Sequence, residues 1–255
     1  MAPRPPRASA DLTLYIGNRT YSSWSMRAWL ILAASGLPFR EEMIRLREAG
    51  FREKLAHASP GGTVPALHDG GLVISETLAI AEYIAECAPD AGLWPDDPQE
   101  RAAARMMATR MAVGFRALRD ECPMNVSQRF KPAKLPGLVL EDVAQLEAMW
   151  RPRFLPAAAT PDGPFLFGRF GIVDAFFAPV AMRFYTYRVP ISLDVAPYVD
   201  ALIAHPLVHR WLLDAKAEPP RDPEVVGDFA RHKHTPGGFE ILSHPALAKP
   251  GETEA

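Results

Sequence analysis

Three serines within four residues are the feature of this sequence best suited to chemistry. Ser22, Ser23 and Ser25 follow the apolar, β-forming run 12–17 and precede the helix-forming run 28–36, which ends in glycine. The serines are therefore predicted to lie in the turn between a first strand and a first helix. At such a turn, unpaired backbone N–H groups and the positive end of the helix dipole favour an anion, and a serine hydroxyl can donate a further hydrogen bond to it. The alternative is that the serines only cap the helix, a common role for this residue type.

Composition narrows the class of protein. A chain of 255 residues with 48% apolar and 23% charged residues can bury the core of one large or two small domains. Its net charge of −2 gives no electrostatic reason to expect nucleic-acid or membrane binding. The two cysteines, Cys87 and Cys122, match neither a zinc motif nor a redox pair, which fits a reducing cytoplasm. Residues 1–11 carry no apolar run, so we expect neither a signal peptide nor a membrane span there.

The elements after the serines form an alternating pattern. A second strand is predicted within 40–46 and an irregular helix over 48–58. Two short strands, 63–69 and 72–75, are joined through Asp-Gly-Gly, a strong hairpin signal, and a helix opens at Ser75. The order strand, helix, strand, helix, strand, strand, helix predicts a thioredoxin-like α/β domain.

Two residues of this domain have alternative interpretations. Pro65 begins a strand, which indicates either an edge position or a cis Val64–Pro65 bond that turns the Val64 backbone outward to pair with an extended ligand. Glu76 stands in the first turn of a helix, where it compensates the helix dipole or receives an ammonium group.

Taken together, the serine turn, Val64-Pro65 and the run 75–84 (Ser-Glu-Thr-Leu-Ala-Ile-Ala-Glu-Tyr-Ile) resemble the N-terminal domain of the glutathione S-transferase superfamily. The turn is most similar to the Ser-Ser-Cys-Ser-x-Arg turn of the zeta class, which includes maleylacetoacetate isomerases. Trp24 stands where that class has cysteine, and an indole cannot act as a thiol nucleophile. The resemblance implies glutathione as co-substrate, with its thiol activated by serine.

The resemblance also implies roles for individual residues. Ser22 or Ser23 is the expected donor to the glutathione thiolate, with Ser25 third. Val64 would pair its backbone with the cysteinyl part of glutathione, and Glu76 with Thr77 would hold the γ-glutamyl end. The expected glutathione-binding residues are Trp24, Thr63, Val64, Pro65, Glu76 and Thr77.

The second half of the chain is predicted to be helical. Residues 99–121 form one long helix in this prediction, with Met107, Met111 and Phe115 on one face. Such a stripe is ordinarily core, whereas the resemblance implies that it lines a hydrophobic-substrate cleft.

A further helix is predicted over 136–155, and a separate, strongly apolar helix ends at Tyr187. Two short helices follow, separated at His205-Pro206. Asp174, three residues after Gly171, would cap the helix that ends at Tyr187, a variant of the superfamily's capping box. The expected fold is thus a thioredoxin-like domain (11–88), a linker (89–98), an all-α domain (99–218) and an extended or partly disordered tail (219–255).

The function expected from the sequence is glutathione transfer to a hydrophobic electrophile, a detoxification reaction, by a cytoplasmic homodimer. The alternatives are a glutathione-dependent isomerase, peroxidase or lyase on the same fold, and a non-catalytic glutathione-binding or scaffold protein. No metal site is expected, because His205 and His209, although four residues apart, lack an evident third ligand.

Overall fold

The computed structural model describes residues 11–154, 163–219, 236–239 and 244–247. Its first strand, β1 (Thr13–Ile16), leads through a short turn into helix α1 (Ser23–Ser35). Ser22 is the N-cap of α1, with its Oγ accepting a hydrogen bond from the Ser25 N–H at 3.3 Å, and Gly36 ends the helix at φ 73°. Helix α1 thus begins earlier than the sequence predicts, and the capping role is confirmed for Ser22.

Three further strands join β1 in the thioredoxin-like sheet. Strand β2 (Arg40–Met43) pairs parallel to β1, whereas β3 (Ala66–Asp69) pairs antiparallel with β1 and with β4 (Leu72–Ile74), as the predicted hairpin requires. The strand order is therefore β2-β1-β3-β4. Because β3 is paired on both sides, the edge explanation for Pro65 is wrong, and the Val64–Pro65 bond is cis. Helices α2 (Phe51–Ala58) and α3 (Thr77–Cys87) complete this part.

The second part is built from helices. They are α4 (Pro98–Val113), α5 (Arg116–Glu121), α6 (Gly137–Trp150), α7 (Ile172–Tyr187), α8 (Ala196–Ala204) and α9 (Pro206–Ala217). Helix α7 is buried along its whole length and is the centre of this part of the core. The predicted split at His205-Pro206 is confirmed.

The single long helix predicted over 99–121 is wrong, because the chain breaks between α4 and α5. Gly114 has an extended backbone, and a Cβ atom there would lie 2.7 Å from the Arg110 carbonyl oxygen. Phe115 follows at φ 55°, a left-handed conformation. The break exposes the first N–H groups of α5, and Asp142 of α6 accepts one of them, from Leu118, at 2.9 Å.

Asp174 caps α7 as predicted. Its Oδ2 accepts from the Gly171 N–H at 3.0 Å, and its Oδ1 accepts from the Leu166 N–H at 3.3 Å and from the Tyr198 hydroxyl at 3.0 Å. The carboxyl group is completely buried. These three bonds join the start of α7 to the preceding loop and to α8.

The two parts share one core across α1. The Arg27 side chain donates from Nε to the Phe176 carbonyl of α7 at 2.9 Å, and the rings of Trp29 and Trp211 lie 5.6 Å apart. From the tail predicted over 219–255, strand β6 (Pro236–Phe239) pairs antiparallel with β5 (Arg129–Phe130), and Pro245–Leu247 forms a 3-10 turn. Most of the predicted tail lies outside the described residues.

Candidate active site

A cleft of about 290 Å3 opens beside the N-terminus of α1, between the serine turn and the loop that precedes β3. Gly17 lets the two walls approach: a Cβ atom there would lie 3.1 Å from Val64 Cγ2 and 3.3 Å from Ser22 Cβ. The lining residues include Tyr21, Ser22, Ser23, Trp24, Thr63 and Val64. The structure therefore brings together five of the sequence-predicted site residues, which lie about forty positions apart in two groups.

The three serines have different surroundings. Ser25 is fully buried, and its Oγ accepts hydrogen bonds from the Gly17 N–H at 2.9 Å and from the Ser22 hydroxyl at 2.7 Å. The Ser25 hydroxyl therefore links the end of β1 to the N-cap of α1. Ser22 is half-buried and lines the cleft, but its hydroxyl is hydrogen-bonded inward, to Ser25 Oγ.

Ser23 lines the same cleft and is paired differently. Only 8% of it is exposed, and its Oγ accepts from Arg183 Nη2 of α7 at 3.4 Å. The backbone N–H groups of Ser23 and Trp24, at the start of α1, hydrogen-bond to none of the described residues. Unpaired N–H groups at the start of a helix, beside two hydroxyl groups, form a site that favours an anion.

Three arginines surround this turn, and none of them is among the site residues predicted from the sequence. Arg27 and Arg183 are buried, at 1% and 4% exposure, and Arg119 of α5 is partly exposed. The ion pairs among the described residues include none with these three side chains. Each comes from a different helix, so no local spacing in the sequence connects them.

The electrostatics of the cluster follow from burial without an ion-pair partner among the described residues. Burial lowers the pKa of Arg27 well below its usual value, and the charges of Arg183 and Arg119 lower it further. Burial, with the charge of Arg119, lowers the pKa of Arg183 to about 10, so Arg183 stays protonated at neutral pH. Burial raises the pKa of the nearby Cys122 thiol to about 12, which makes it a neutral neighbour.

Trp24 lies between these charges. The guanidinium of Arg27 lies 4.5 Å from the indole centre and that of Arg119 lies 5.3 Å from it, while Phe176 contacts the indole edge-on at 6.5 Å. Both cation distances fall within the range of cation–π attraction. Trp24 thus anchors two of the three arginines where the zeta class has its cysteine.

The remaining predicted glutathione-binding residues lie on the other wall of the cleft or near it. Among the described residues, none hydrogen-bonds to the Val64 backbone. Pro65 is buried behind Val64. Glu76 is the exposed N-cap of α3, without a side-chain cap bond, and Thr77 is buried at 5% exposure. Neither Glu76 nor Thr77 is among the residues that line the cleft.

The loop that carries Thr63 nevertheless runs beside the start of α3. A Cβ atom on Gly61 would lie 2.9 Å from Ser75 Oγ. An extended ligand that lies along this loop would therefore have α3 at one end and the serine turn at the other.

The predicted hydrophobic-substrate residues lie elsewhere. Met107, Met111 and Phe115 are 2%, 0% and 4% exposed, belong to the core, and are absent from the lining of the cleft. Their geometry supports the ordinary interpretation of a helical stripe, which is packing.

The described part of the chain holds neither a cluster of metal-binding side chains nor a membrane-spanning helix. No group of three or more His, Cys, Asp or Glu side chains in that part of the chain is arranged to hold a metal ion. None of its helices is long and apolar enough to cross a membrane.

Comparison with known proteins agrees with this geometry. The family model of the glutathione S-transferase N-terminal domain matches residues 21–87, and that of the C-terminal domain matches residues 133–213. Maleylacetoacetate isomerase of Rattus norvegicus is 36% identical over 110 residues, which are 42% of this chain and 50% of that protein. The chain thus spans about half the length of the first curated relatives it matches. Maleylacetoacetate isomerase of Pseudomonas aeruginosa is 29% identical over 206 residues, 76% of this chain and 92% of that protein.

Solved structures show the same fold. A glutathione transferase homolog from Burkholderia GL BGR1, solved with bound glutathione, is 25% identical and superposes with a TM-score of 0.61, covering 82% of this chain and all of that one. Glutathione transferase Omega 3C from Trametes versicolor, at 21% identity, has a TM-score of 0.61 over 86% of this chain and 92% of that one. With a thioredoxin-like sheet, an all-helical second part and a match to both family models, the chain belongs to the glutathione S-transferase superfamily.

Proposed function

We propose that the protein is a glutathione transferase that ionises the glutathione thiol at the N-terminus of α1 and directs the thiolate at an electrophile. The observation that carries this proposal is the cleft in which Ser22 and Ser23 face Val64, beside two backbone N–H groups that bond to none of the described residues. A related protein of the same fold has been solved with bound glutathione.

The energy required is modest. A free thiol has a pKa of about 8.5, so only a few per cent of it is thiolate at neutral pH. Lowering that pKa by about two units requires roughly 2.7 kcal/mol of preferential binding of the anion. Hydrogen bonds to charged groups each contribute about 1.5–3 kcal/mol, so a hydroxyl and one or two N–H groups suffice.

Glutathione would lie along the wall opposite the serines. The Val64 backbone would pair with the cysteinyl part, Thr63 and Trp24 would contact the tripeptide, and Glu76 with Thr77 would receive the γ-glutamyl end at the start of α3. An electrophile would approach from the open side of the cleft. The burial of Met107, Met111 and Phe115 gives no support to placing it against them.

A second candidate is a glutathione-dependent isomerase. It is favoured by the relatives named maleylacetoacetate isomerase, one of which matches 76% of this chain and 92% of its own length. Trp24 distinguishes this chain from the zeta-class turn that it resembles. Both activities begin with the same thiolate, so the candidates differ only in what the thiolate attacks.

The remaining expectations belong to the same proposal. We place the linker between the two domains at residues 89–98, and we expect a homodimer that works in the cytoplasm. Size-exclusion chromatography with light scattering measures the oligomeric state directly. A monomer at micromolar concentration would remove the homodimer from the proposal without affecting the chemistry.

The experiment that tests the function is a titration of bound glutathione. The ultraviolet absorbance of its thiolate is followed against pH, and turnover is then measured with halide, epoxide, peroxide and cis-enone electrophiles. A bound thiol that ionises well below pH 8.5 supports the proposal, and the electrophile that turns over separates transfer from isomerisation. Glutathione that does not bind, or binds with an unshifted thiol, would leave the scaffold alternative.

A further inference from the structure

Arg183 is held in one orientation by the protein backbone. Its Nε donates to the Cys122 carbonyl at 2.9 Å and its Nη1 donates to the Pro179 carbonyl at 3.2 Å. The remaining nitrogen, Nη2, reaches Ser23 Oγ at 3.4 Å. A guanidinium fixed by two carbonyl groups and buried at 4% exposure has little freedom to leave Ser23.

This contact gives Ser23 a hydrogen-bonding pattern different from that of Ser22, the other serine of the cleft. A serine hydroxyl has one proton to donate and two lone pairs, and an arginine can only donate. The Ser22 hydroxyl is already hydrogen-bonded within the protein, to Ser25 Oγ at 2.7 Å and to the Ser25 N–H at 3.3 Å. Ser23 accepts from Arg183, and none of the described residues accepts a hydrogen bond from its Oγ, so its proton is free to point into the cleft.

The positive charges around Arg183 also favour an anion next to Ser23. Arg27 and Arg119 are the other cations that face Arg183, and the Nη2 of Arg27 is buried without an acceptor among the described residues. The other titratable neighbours of Arg183 are the Cys122 thiol and the Tyr187 phenol, and both stay neutral because burial raises the pKa of each. The charge of Glu121 also raises the pKa of the Cys122 thiol, so Glu121 is an acidic neighbour of that thiol.

Positive charge that is buried without an anionic partner is unfavourable, and an anion bound beside it removes part of that cost. We propose that Ser23, held and polarised by Arg183, is the residue that donates to the glutathione thiolate, and that Arg183 is its positioning residue. This inference rests on the proposed function. The thiol proton leaves to water, and the Ser23 hydroxyl then donates to the sulfur anion without losing its own proton.

The test is the pKa of bound glutathione thiol in matched variants. Ser23→Ala and Arg183→Met are each expected to raise that pKa by about one unit, which is about tenfold less thiolate at a pH below it. The double variant should be no worse than either single one, because both changes remove the same interaction. Arg183→Lys keeps the positive charge but loses the planar guanidinium with its several donors. Its thiol pKa should therefore lie between those of Arg183→Met and the parent.

Two controls separate this role from a structural one. Ser22→Ala, which removes the cap of α1, should raise the thiol pKa by less than Ser23→Ala does. Arg116→Met, which removes the same charge from an exposed position of α5, should leave the thiol pKa within about 0.3 unit of the parent value. Affinity for S-methylglutathione, which has no thiol, should stay within about twofold in every variant, since only contacts with the anion are changed.

The outcomes are distinguishable. If the parent protein ionises bound glutathione, and Ser22→Ala rather than Ser23→Ala abolishes the shift, the assignment to Ser23 is overturned while the function stands. If Ser23→Ala raises the thiol pKa but Arg183→Met and Arg183→Lys do not, the role of Arg183 is overturned. A parent protein that leaves the thiol unshifted overturns this inference together with the proposed function.

Discussion

Asp174 is the buried acid whose ionisation acts on the stability of the fold. Burial raises the pKa of its carboxyl to about 7, although hydrogen bonds from Gly171, Leu166 and Tyr198 oppose that rise. A carboxyl whose folded pKa lies above its unfolded pKa holds its proton more tightly in the folded state. Its contribution to stability is therefore fully present below about pH 4 and is lost as the pH rises through about 7.

Asp174→Asn should remove this component of the pH dependence. The amide cannot ionise, so the difference in unfolding free energy between parent and variant should shrink as the pH rises from 5 to 8. Urea unfolding at four pH values measures it. The comparison with the parent is needed because His205 gives the unfolding free energy the opposite pH dependence. Burial lowers the pKa of His205 to about 4, so the stability that its neutral form contributes is lost as the pH falls. An unchanged difference across the range would contradict the prediction, and Asp120→Asn, exposed on α5, is the matched control.

At the scale of residues, the sequence predicts the parts of the site that follow local rules. Ser22 and Ser23 are predictable because they stand between a strand pattern and a helix pattern, and Val64 because a proline follows it at the start of a strand. The arginine cluster is not predictable in this way. Residues 27, 119 and 183 become neighbours only through the packing of three helices, and each alone resembles an ordinary charged side chain.

At the scale of elements, the cap of α7 leads to a prediction that opposes the general rule. Serine normally caps a helix better than glycine, by a few tenths of a kcal/mol. At Gly171, however, a Cβ atom would lie 2.7 Å from the Leu93 carbonyl oxygen, which already accepts from the Ile172 N–H. Gly171→Ser is therefore expected to destabilise the protein by about 1–3 kcal/mol, the usual cost of overpacking.

Gly137→Ala provides the matched comparison for that prediction. Gly137 begins α6 and has no atom within 4 Å of the position that a Cβ would take. Alanine there should stabilise the protein by about 0.4–1 kcal/mol, because it restricts the unfolded chain. Denaturant midpoints of both variants and the parent test the pair, and a Gly171→Ser variant more stable than the parent would show that Leu93 moves aside.

Element boundaries show where local rules are insufficient. The apolar stripe of 99–121 continues smoothly through Gly114, so periodicity alone predicts one helix. The broken form is stabilised by a long-range contact, since Asp142 of α6 accepts from the Leu118 N–H of α5, and a partner 24 residues away leaves no local signal. Gly114 itself is the one residue that could have indicated the break.

At the scale of the whole molecule, the order of elements is predictable but the coupling between the two parts is not. Helix α1 belongs to the thioredoxin-like part, yet it contacts α7 and α9 as well as α3. Arg19 adds two hydrogen bonds between the parts. Its carbonyl accepts from the Trp211 indole at 3.2 Å, and its backbone N–H donates to the Glu218 carboxylate at 2.8 Å. A pattern within one segment carries no information on such contacts, because they depend on residues almost two hundred positions apart.

Trp211→Ala tests whether the two parts unfold as one. Trp211 is fully buried, contacts the ring of Trp29 in α1 and donates to the Arg19 carbonyl, so its removal leaves a cavity where α9 meets the thioredoxin-like part. A cost of about 3–5 kcal/mol is expected, in line with large aromatic truncations. Because α1 contacts both parts, far-ultraviolet circular dichroism and the fluorescence of the remaining tryptophans should still report a single, earlier transition.

Leu213→Ala, on the half-exposed side of the same helix, is the control and should change stability by no more than about 0.5 kcal/mol. If Trp211→Ala instead shows two separated transitions, the parts are independent domains and α1 couples them less than its contacts indicate.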